Sequence, residues 1–229
     1  SIAGSVQHGG IGTPYIWTTI TGASELAVGD QCTGFMLQTG GTSVGTMIIF
    51  NRNQTYILYG NSTSDWNLVL FNPEAGSIEW SSQYIGQGVL VDDRGITTVA
   101  TSQNFGNFQG STISRMVDPT LRDLINSISA SCIARDKNQY RVFFSGGDAL
   151  YATFEGTKLS GIMPVSLSNP VKCISSQEGT SGAEEIYFGS TNGMVYQLDM
   201  GTSFDGDAIT FDLHLSYNHF GNPRLLKQF

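Results

Sequence analysis

The clearest structural signal in the chain is the stretch Glu185-Ile-Tyr-Phe-Gly-Ser-Thr-Asn-Gly-Met-Val-Tyr-Gln-Leu198. Two β-rich runs lie on either side of Thr191-Asn-Gly193, and Asn and Gly tolerate the positive φ angles that a tight hairpin needs. The stretch therefore predicts a β-hairpin. An isolated hairpin is only marginally stable in water, so we expect this one to pack against similar units.

Three further stretches follow the same pattern, at residues 46–59, 88–100 and 140–154. The four turns begin near positions 51, 92, 145 and 190, a spacing of roughly 40 to 55 residues, which matches one four-stranded blade of a β-propeller. Runs such as Met47-Ile-Ile-Phe50 place apolar side chains on both faces of a strand, as stacked blades require, although a sandwich core has such runs too. The sequence thus predicts an all-β fold, a β-propeller-like repeat of antiparallel hairpins.

Composition and charge narrow the classes of function. The 229 residues include 28 Gly but only 6 Pro, and 13% are charged, which suits short strands joined by tight turns. The net charge is −8, and the 11 Lys and Arg are scattered, which disfavours sequence-specific binding of DNA or RNA. An acidic surface that DNA passes without sticking is compatible with this charge. No apolar run is long enough to span a bilayer. The spacing of Cys32, Cys132 and Cys173 fits no zinc site and predicts three buried free thiols.

One segment interrupts the β pattern with a helical stripe of apolar residues at 113, 117, 121, 124, 125 and 128. Asp118 is a good N-cap residue and Pro119 suits the first helical position, so we predict a short inserted helix over about 119–128. This helix either covers the end of the propeller or contacts a neighbouring subunit.

The chain is divided here into a partial blade or arm, residues 1–45, and a β-propeller region, residues 46–229. The first residue is Ser rather than Met, and the last six residues stop inside a strand-like pattern. We therefore expect the sequence to be an excerpt of a longer chain.

A candidate metal site lies in Asp199-Met-Gly-Thr-Ser-Phe-Asp-Gly-Asp207, where Asp199, Asp205 and Asp207 offer oxygen ligands to a calcium ion. The spacing is not that of an EF-hand loop. The same stretch partly resembles the Ser-x-Asp-x-Gly-x-Thr-Trp box of sialidase-like propellers, which is a structural turn, so a hydrogen-bonded turn is the alternative interpretation.

No catalytic residue is assigned. The chain has no nucleophile elbow, phosphate-binding loop or dinucleotide fingerprint, and calcium is the one candidate cofactor. Asp92-Asp93 falls at a hairpin tip, where Asp is favoured for turn geometry; as a glycosidase pair it would need a cleft between the carboxylates. We therefore predict a protein that is not an enzyme.

Several stretches together resemble the propeller region of virion proteins from tailed bacteriophages, of the tail hub, nozzle or DNA-stabilisation type. They are Phe50-Asn-Arg-Asn-Gln-Thr-Tyr-Ile-Leu-Tyr-Gly60, Val91-Asp-Asp-Arg-Gly-Ile-Thr97, Phe105-Gly-Asn-Phe108, Val195-Tyr-Gln-Leu-Asp-Met-Gly-Thr-Ser-Phe-Asp-Gly206 and Asn218-His-Phe-Gly-Asn-Pro-Arg224. The resemblance covers roughly residues 45–229, and because its motifs are structural turns it carries over no functional residues.

This resemblance implies a structural component of a short tail or head–tail connection, assembled in the cytoplasm of a bacterial host. Its partners would be other copies of itself and neighbouring tail or connector proteins, with DNA passing nearby without specific binding. The alternative is a carbohydrate-binding or glycan-cleaving propeller at the host surface. That alternative requires exposed aromatic side chains, with Trp66 and Trp80 as the candidates.

Overall fold

The computed structural model describes residues 4–37, 46–99, 113–114 and 117–213. The chain forms two compact units, Ser1–Asp199 and Met200–Phe229. Two of the stretches that carry the phage resemblance, residues 105–108 and 218–224, lie outside the described residues.

β-Strands are the main regular element in the described part of the first unit. They are β1 (Ser5–His8), β2 (Ser24–Ala27), β3 (Cys32–Leu37), β4 (Thr46–Asn51), β5 (Thr55–Tyr59), β6 (Asn67–Asn72), β7 (Gln83–Tyr84), β8 (Gly88–Asp92), β9 (Gly95–Thr98), β10 (Ile128–Ala134), β11 (Gln139–Phe144), β12 (Asp148–Glu155), β13 (Lys158–Ser166), β14 (Val171–Glu178), β15 (Glu184–Ser190) and β16 (Val195–Leu198). The second unit contributes β17 (Ser203–Phe204) and β18 (Asp207–Ala208). Short 3-10 segments lie at Thr19–Thr21 and Ile125–Ser127.

The strands form a series of antiparallel sheets in chain order. The sheets are β3-β4-β5-β6, β7-β8-β9, β10-β11-β12-β13 and β14-β15-β16, here called the first to fourth sheets. Two-stranded ladders, β1-β2 and β17-β18, flank this series in the chain. Strands that are neighbours in the chain are neighbours in each sheet, so every sheet is a meander like a propeller blade. The all-β, propeller-like repeat of antiparallel hairpins is confirmed, with no described sheet closing on itself.

All four predicted hairpins are present, as the pairs β4–β5, β8–β9, β11–β12 and β15–β16. Gly193 has a φ of 81° and donates its backbone N–H to the Ser190 carbonyl over 3.1 Å. Gly95 and Gly147 also have positive φ, at 129° and 100°. The turn residues of the sequence therefore identified one hairpin of each sheet.

Adjacent sheets cover both faces of the central strands. Along β8, Val89 and Val91 belong to a core cluster shared with the third sheet, whereas Leu90 belongs to one shared with the first sheet. In β4, Phe50 packs toward the second sheet and Ile49 toward the β1–β2 ladder. This two-sided burial explains why these strands read as continuous apolar runs instead of an alternating pattern.

The predicted helix is present but shorter than expected. The helix α1 spans Asp118–Leu124, and its buried Leu121 packs on the core between the second and third sheets. The prediction of Asp118 as the N-cap residue was wrong, because the N-cap is Val117. Asp118 instead accepts a hydrogen bond from Arg122, one turn later in the helix. The helix cannot reach 128 because Ile128 pairs with Phe144 as the first residue of β10.

The sheets begin before residue 46. Strand β3 pairs with β4, so the first sheet extends back to Cys32. Val6 and Val28, from β1 and the turn after β2, pack against Ile49 and Leu58. Residues 4–37 are thus packed on the first sheet and supply one of its strands.

Candidate functional site

The first strands of the four sheets, β3, β7, β10 and β14, border a cleft of about 770 Å³, called the inner cleft below. Side chains join these strands where no backbone ladder does. Ser129 Oγ on β10 donates to the Val171 carbonyl of β14 over 2.7 Å, and Gln83 Nε2 on β7 donates to the Ser131 carbonyl over 3.0 Å. The volume falls within the range of roughly 300–1,000 Å³ that is usual for ligand pockets.

Polar neutral residues are the most numerous type along the wall of the inner cleft, beside apolar surface. Ser82, Ser127, Ser129 and Ser131 are among the lining residues, together with Asn126. Lys172 is the one charged side chain among the described residues that line it, and no carboxylate does. The inner cleft is therefore suited to a ligand rich in hydroxyl groups, and it lacks the acidic wall expected beside passing DNA.

Trp80, which lines the inner cleft, has an unusual backbone conformation. Its φ of 66° lies in the left-handed region, which costs a residue with a Cβ roughly 1–2 kcal/mol. Two buried hydroxyls hold the conformation: Ser131 Oγ donates to the Trp80 carbonyl, and Tyr140 Oη donates to the Ser81 carbonyl over 2.7 Å. The Trp80 residue nevertheless remains 63% exposed. The surroundings thus fix a strained backbone that leaves an aromatic ring open to solvent.

The other aromatic candidate, Trp66, has a different environment. It is half-buried and contacts the His8 ring edge-on, with ring centroids 4.6 Å apart. It also packs on the core formed by the β1–β2 ladder and the first sheet. Trp66 is therefore part of the packing, and Trp80 is the aromatic residue that lines the inner cleft.

The cysteines are free, as predicted, but only one is buried. Burial raises the pKa of Cys132 to about 12, so its thiol stays protonated. Cys173 is exposed and lines the inner cleft, whereas Cys32 is half-buried. The prediction of three buried thiols was wrong because β14 turns the Cys173 side chain toward the cleft instead of a core.

An ion pair between the buried Arg141 and the partly exposed Asp199 joins the third and fourth sheets. Arg141 on β11 is 1% exposed, and its Nη2 donates to Asp199 Oδ2 over 2.8 Å and to Gln139 Oε1 over 2.8 Å. The guanidinium also stacks on the Tyr151 ring at 4.3 Å, and Lys137 Nζ lies 3.0 Å from the same Asp199 oxygen. Burial by itself raises the pKa of Asp199, but the bonds from Arg141 and Lys137 outweigh it and hold the pKa below its ordinary value.

The three carboxylates of the candidate calcium site fall on two units. Asp199 closes the first unit, where Arg141 and Lys137 already neutralise it. Asp205 and Asp207 belong to the second unit, where Asp205 and Gly206 have positive φ and form the turn between β17 and β18. No group of three or more His, Cys, Asp or Glu in metal-binding geometry is found among the described residues. Calcium binding stays a prediction, and the hydrogen-bonded turn is present.

The Asp92-Asp93 pair serves turn and packing roles. Asp92 Oδ1 accepts the backbone N–H of Arg94 over 2.8 Å, and burial raises the pKa of Asp92. Asp93 forms a bidentate ion pair with Arg52 in the β4–β5 turn, which links the first sheet to the second. Each carboxylate thus has a local structural partner.

A segment ahead of β2 exposes large apolar side chains. Between residues 11 and 20, Ile20 is 96% exposed, Tyr15 is 92% exposed, and Ile11, Ile16 and Trp17 are exposed as well. Single apolar residues on a surface are ordinary, but five large ones within ten residues are typical of an interaction surface. The described residues include no helix that is long and apolar enough to cross a membrane.

The sequence matches no protein family and no curated protein. Among solved structures, the chain is similar to BBS1N in the crystal structure of BBS1N in complex with ARL6DN, soaked with lead. The two chains are 12% identical with a TM-score of 0.45, and the likeness covers 76% of this chain and 49% of the other. The present chain thus spans about half the length of that structural neighbour.

Proposed function

We propose that the chain is a non-catalytic structural component of a tailed-phage virion, part of a short tail hub, a nozzle or the head–tail connection. In this role several copies surround a channel through which DNA passes. The proposal rests first on the sequence motifs that resemble phage propeller regions. Those motifs mark turns, as at Asn51–Gln54 and Asp92–Gly95, and turns of this kind are suited to building sheets rather than to catalysis.

The observation that carries the proposal is the exposed apolar segment of residues 11–20. Burying such a segment against another chain removes apolar surface from water, which favours association at roughly 25 cal/mol per Å². Phe35 and Leu37 on β3 are also exposed, so a second apolar area is present on the first sheet. A virion part leaves surfaces of this kind to be covered by its neighbours, which are further copies of the chain and adjoining tail proteins.

The net charge of −8 supports a passive relation to DNA. Because a negatively charged wall repels phosphates, it limits non-specific adhesion during ejection. The inner cleft has no carboxylate among its described lining residues, so the acidic wall of this proposal belongs to another surface of the assembled ring.

The test is the oligomeric state of the full-length protein, measured by light scattering and low-resolution electron microscopy. We expect rings of about six or twelve copies with a central hole. Replacing Ile11, Tyr15 and Trp17 together by Ser should shift the protein toward monomers, whereas Met163→Ser, at an exposed apolar residue elsewhere, should leave the rings intact. A full-length protein that stays monomeric even with the adjoining tail proteins present contradicts the proposal.

A further inference from the structure

The inner cleft presents three polar groups that the fold itself does not use. Among the described residues, the Trp80 indole N–H, the Asn126 amide and the Lys172 ammonium group have no hydrogen-bond or ion-pair partner. By contrast, Ser129 and Ser131 in the same wall are engaged in bonds between sheets. Aromatic, amide and ammonium groups that converge on one cleft are therefore available to a ligand.

The strained backbone at Trp80 indicates that the indole ring has a use. Gly, Asn or Asp would adopt a φ of 66° at lower cost, and the Trp80 residue gains little from burial because most of it is exposed. Buried hydroxyls from Ser131 and Tyr140 donate to the carbonyls of Trp80 and Ser81 and so hold the backbone from which the ring projects. This arrangement preorganises a flat apolar surface beside polar groups.

The chemistry of the wall distinguishes between ligand classes. A single strand of nucleic acid needs several Lys or Arg to neutralise its phosphates, and the described wall offers Lys172 alone. An apolar ligand would leave the Asn126 amide and the Lys172 ammonium group without partners and is disfavoured. A saccharide combines an apolar ring face that stacks on an indole with hydroxyl groups that pair with amides and Ser.

We propose that the inner cleft is a saccharide-binding site in which Trp80 stacks on a sugar ring, Asn126 binds its hydroxyl groups, and Lys172 selects an acidic sugar through its carboxylate. The preference for an acid follows because Lys172 faces no competing carboxylate in the described wall. This site does not depend on the ring assembly proposed above, since every residue in it belongs to one chain.

The experiment is isothermal titration of the full-length protein with uronic-acid tetrasaccharides from polygalacturonate, hyaluronan and alginate, each to millimolar concentration. N-acetylchitotetraose serves as the neutral saccharide and a thymidine tetranucleotide as the nucleic-acid probe. We expect at least one acidic tetrasaccharide to bind at least tenfold more tightly than the neutral one, and Lys172→Met to abolish that preference. No binding of any acidic tetrasaccharide, or tighter binding of the oligonucleotide, overturns the proposal.

Trp80→Gly separates binding from folding. Gly adopts the local φ without strain, so this variant should melt at or above the temperature of the unaltered protein while its dissociation constant for the saccharide rises at least tenfold. Met163→Gly, which removes an exposed apolar side chain outside the cleft and outside the segment of residues 11–20, is the control and should bind normally. If Trp80→Gly binds as tightly as the unaltered protein, the stacking role is refuted.

Discussion

Replacing Asp199 by Asn tests the part-buried ion pair with Arg141 between the third and fourth sheets. Asn keeps the size of the side chain and tolerates the φ of 62° at this position, so the substitution removes the charge and little else. Arg141 is 1% exposed, whereas Lys137 is half-exposed and can be hydrated once its partner is gone. The cost therefore falls on the Arg141 guanidinium.

The size of the effect follows from the contacts that remain. Breaking a buried ion pair costs about 3–5 kcal/mol when one charge is left without compensation. Here Gln139 still accepts from Arg141 and the Tyr151 ring still covers it, so we expect a loss of about 2.5 kcal/mol, or roughly 5–10 °C in melting temperature. Urea unfolding followed by circular dichroism measures the loss.

The pH dependence gives a second measurement on the same pair. Because the pKa of Asp199 is lowered in the folded protein, its contribution to stability is complete above the unfolded value of about 4 and is lost as the pH falls through the folded value. The free energy of unfolding should therefore fall less steeply below about pH 4 in Asp199→Asn than in the unaltered protein.

Two controls make the result specific. Arg122→Ala breaks an exposed ion pair with Asp118 and should cost less than about 0.5 kcal/mol. Arg141→Met combined with Asp199→Asn should cost less than the sum of the single changes, with a coupling of at least about 1 kcal/mol. A loss below about 0.5 kcal/mol for Asp199→Asn, or additive single effects, would refute this account of the pair.

Three further changes test the packing and the thiols. Leu121→Ala, in the core beneath α1, should lower the free energy of unfolding by about 3 kcal/mol in urea titrations, and a loss under about 1 kcal/mol would contradict its packed position. Ser81→Ala removes a buried hydroxyl that donates to the Ile78 carbonyl over 2.6 Å and accepts from the Val91 N–H. The same titration should show a loss of about 1–2 kcal/mol in the free energy of unfolding, and an unchanged midpoint would contradict those bonds. With a chromogenic disulfide reagent at pH 8, Cys173 should react at once and Cys132, whose pKa is raised to about 12, only after unfolding; equal rates would show that the cleft does not expose Cys173.

The hairpins could be predicted because local chemistry specifies them. Each combines a β-rich run with turn residues that accept positive φ, as at Gly193, and neither feature depends on distant parts of the chain. The strands that border the inner cleft have no such signal. Strand β14, for example, contains Lys172, Cys173 and Ser175 among its apolar residues, and only the third sheet beside it explains why it extends there.

The helix boundary shows how tertiary pairing overrides a local pattern. Leu121 and Ile125 follow the helical stripe and are buried, as predicted. Ile128 continues the stripe, yet it pairs with Phe144 because β10 needs a partner along β11. A stripe of apolar residues indicates which side chains are buried. At the end of the stripe, this pattern does not distinguish a helix from a strand.

The candidate site depended on contacts that sequence spacing does not reveal. Trp80, Asn126 and Lys172 meet in one cleft although they come from three separate parts of the chain. Asp199 was a candidate calcium ligand or part of a turn, because nothing near it in the sequence indicates Arg141, which lies 58 positions away. Nearby carboxylates and glycines suggest a cation site, but a distant guanidinium is an equally suitable counter-ion.

The meander order of the sheets has a consequence for how such a chain can evolve. Each sheet is encoded by one continuous segment and packs mainly on the sheets before and after it. A gene duplication can therefore add a sheet without changing the strand order of the other sheets. The side chains that join consecutive sheets limit this freedom. Arg141 lies in the third sheet, and Asp199 directly follows the fourth. A duplicated segment therefore carries the Arg141–Asp199 pair only if it begins before Arg141 and ends after Asp199.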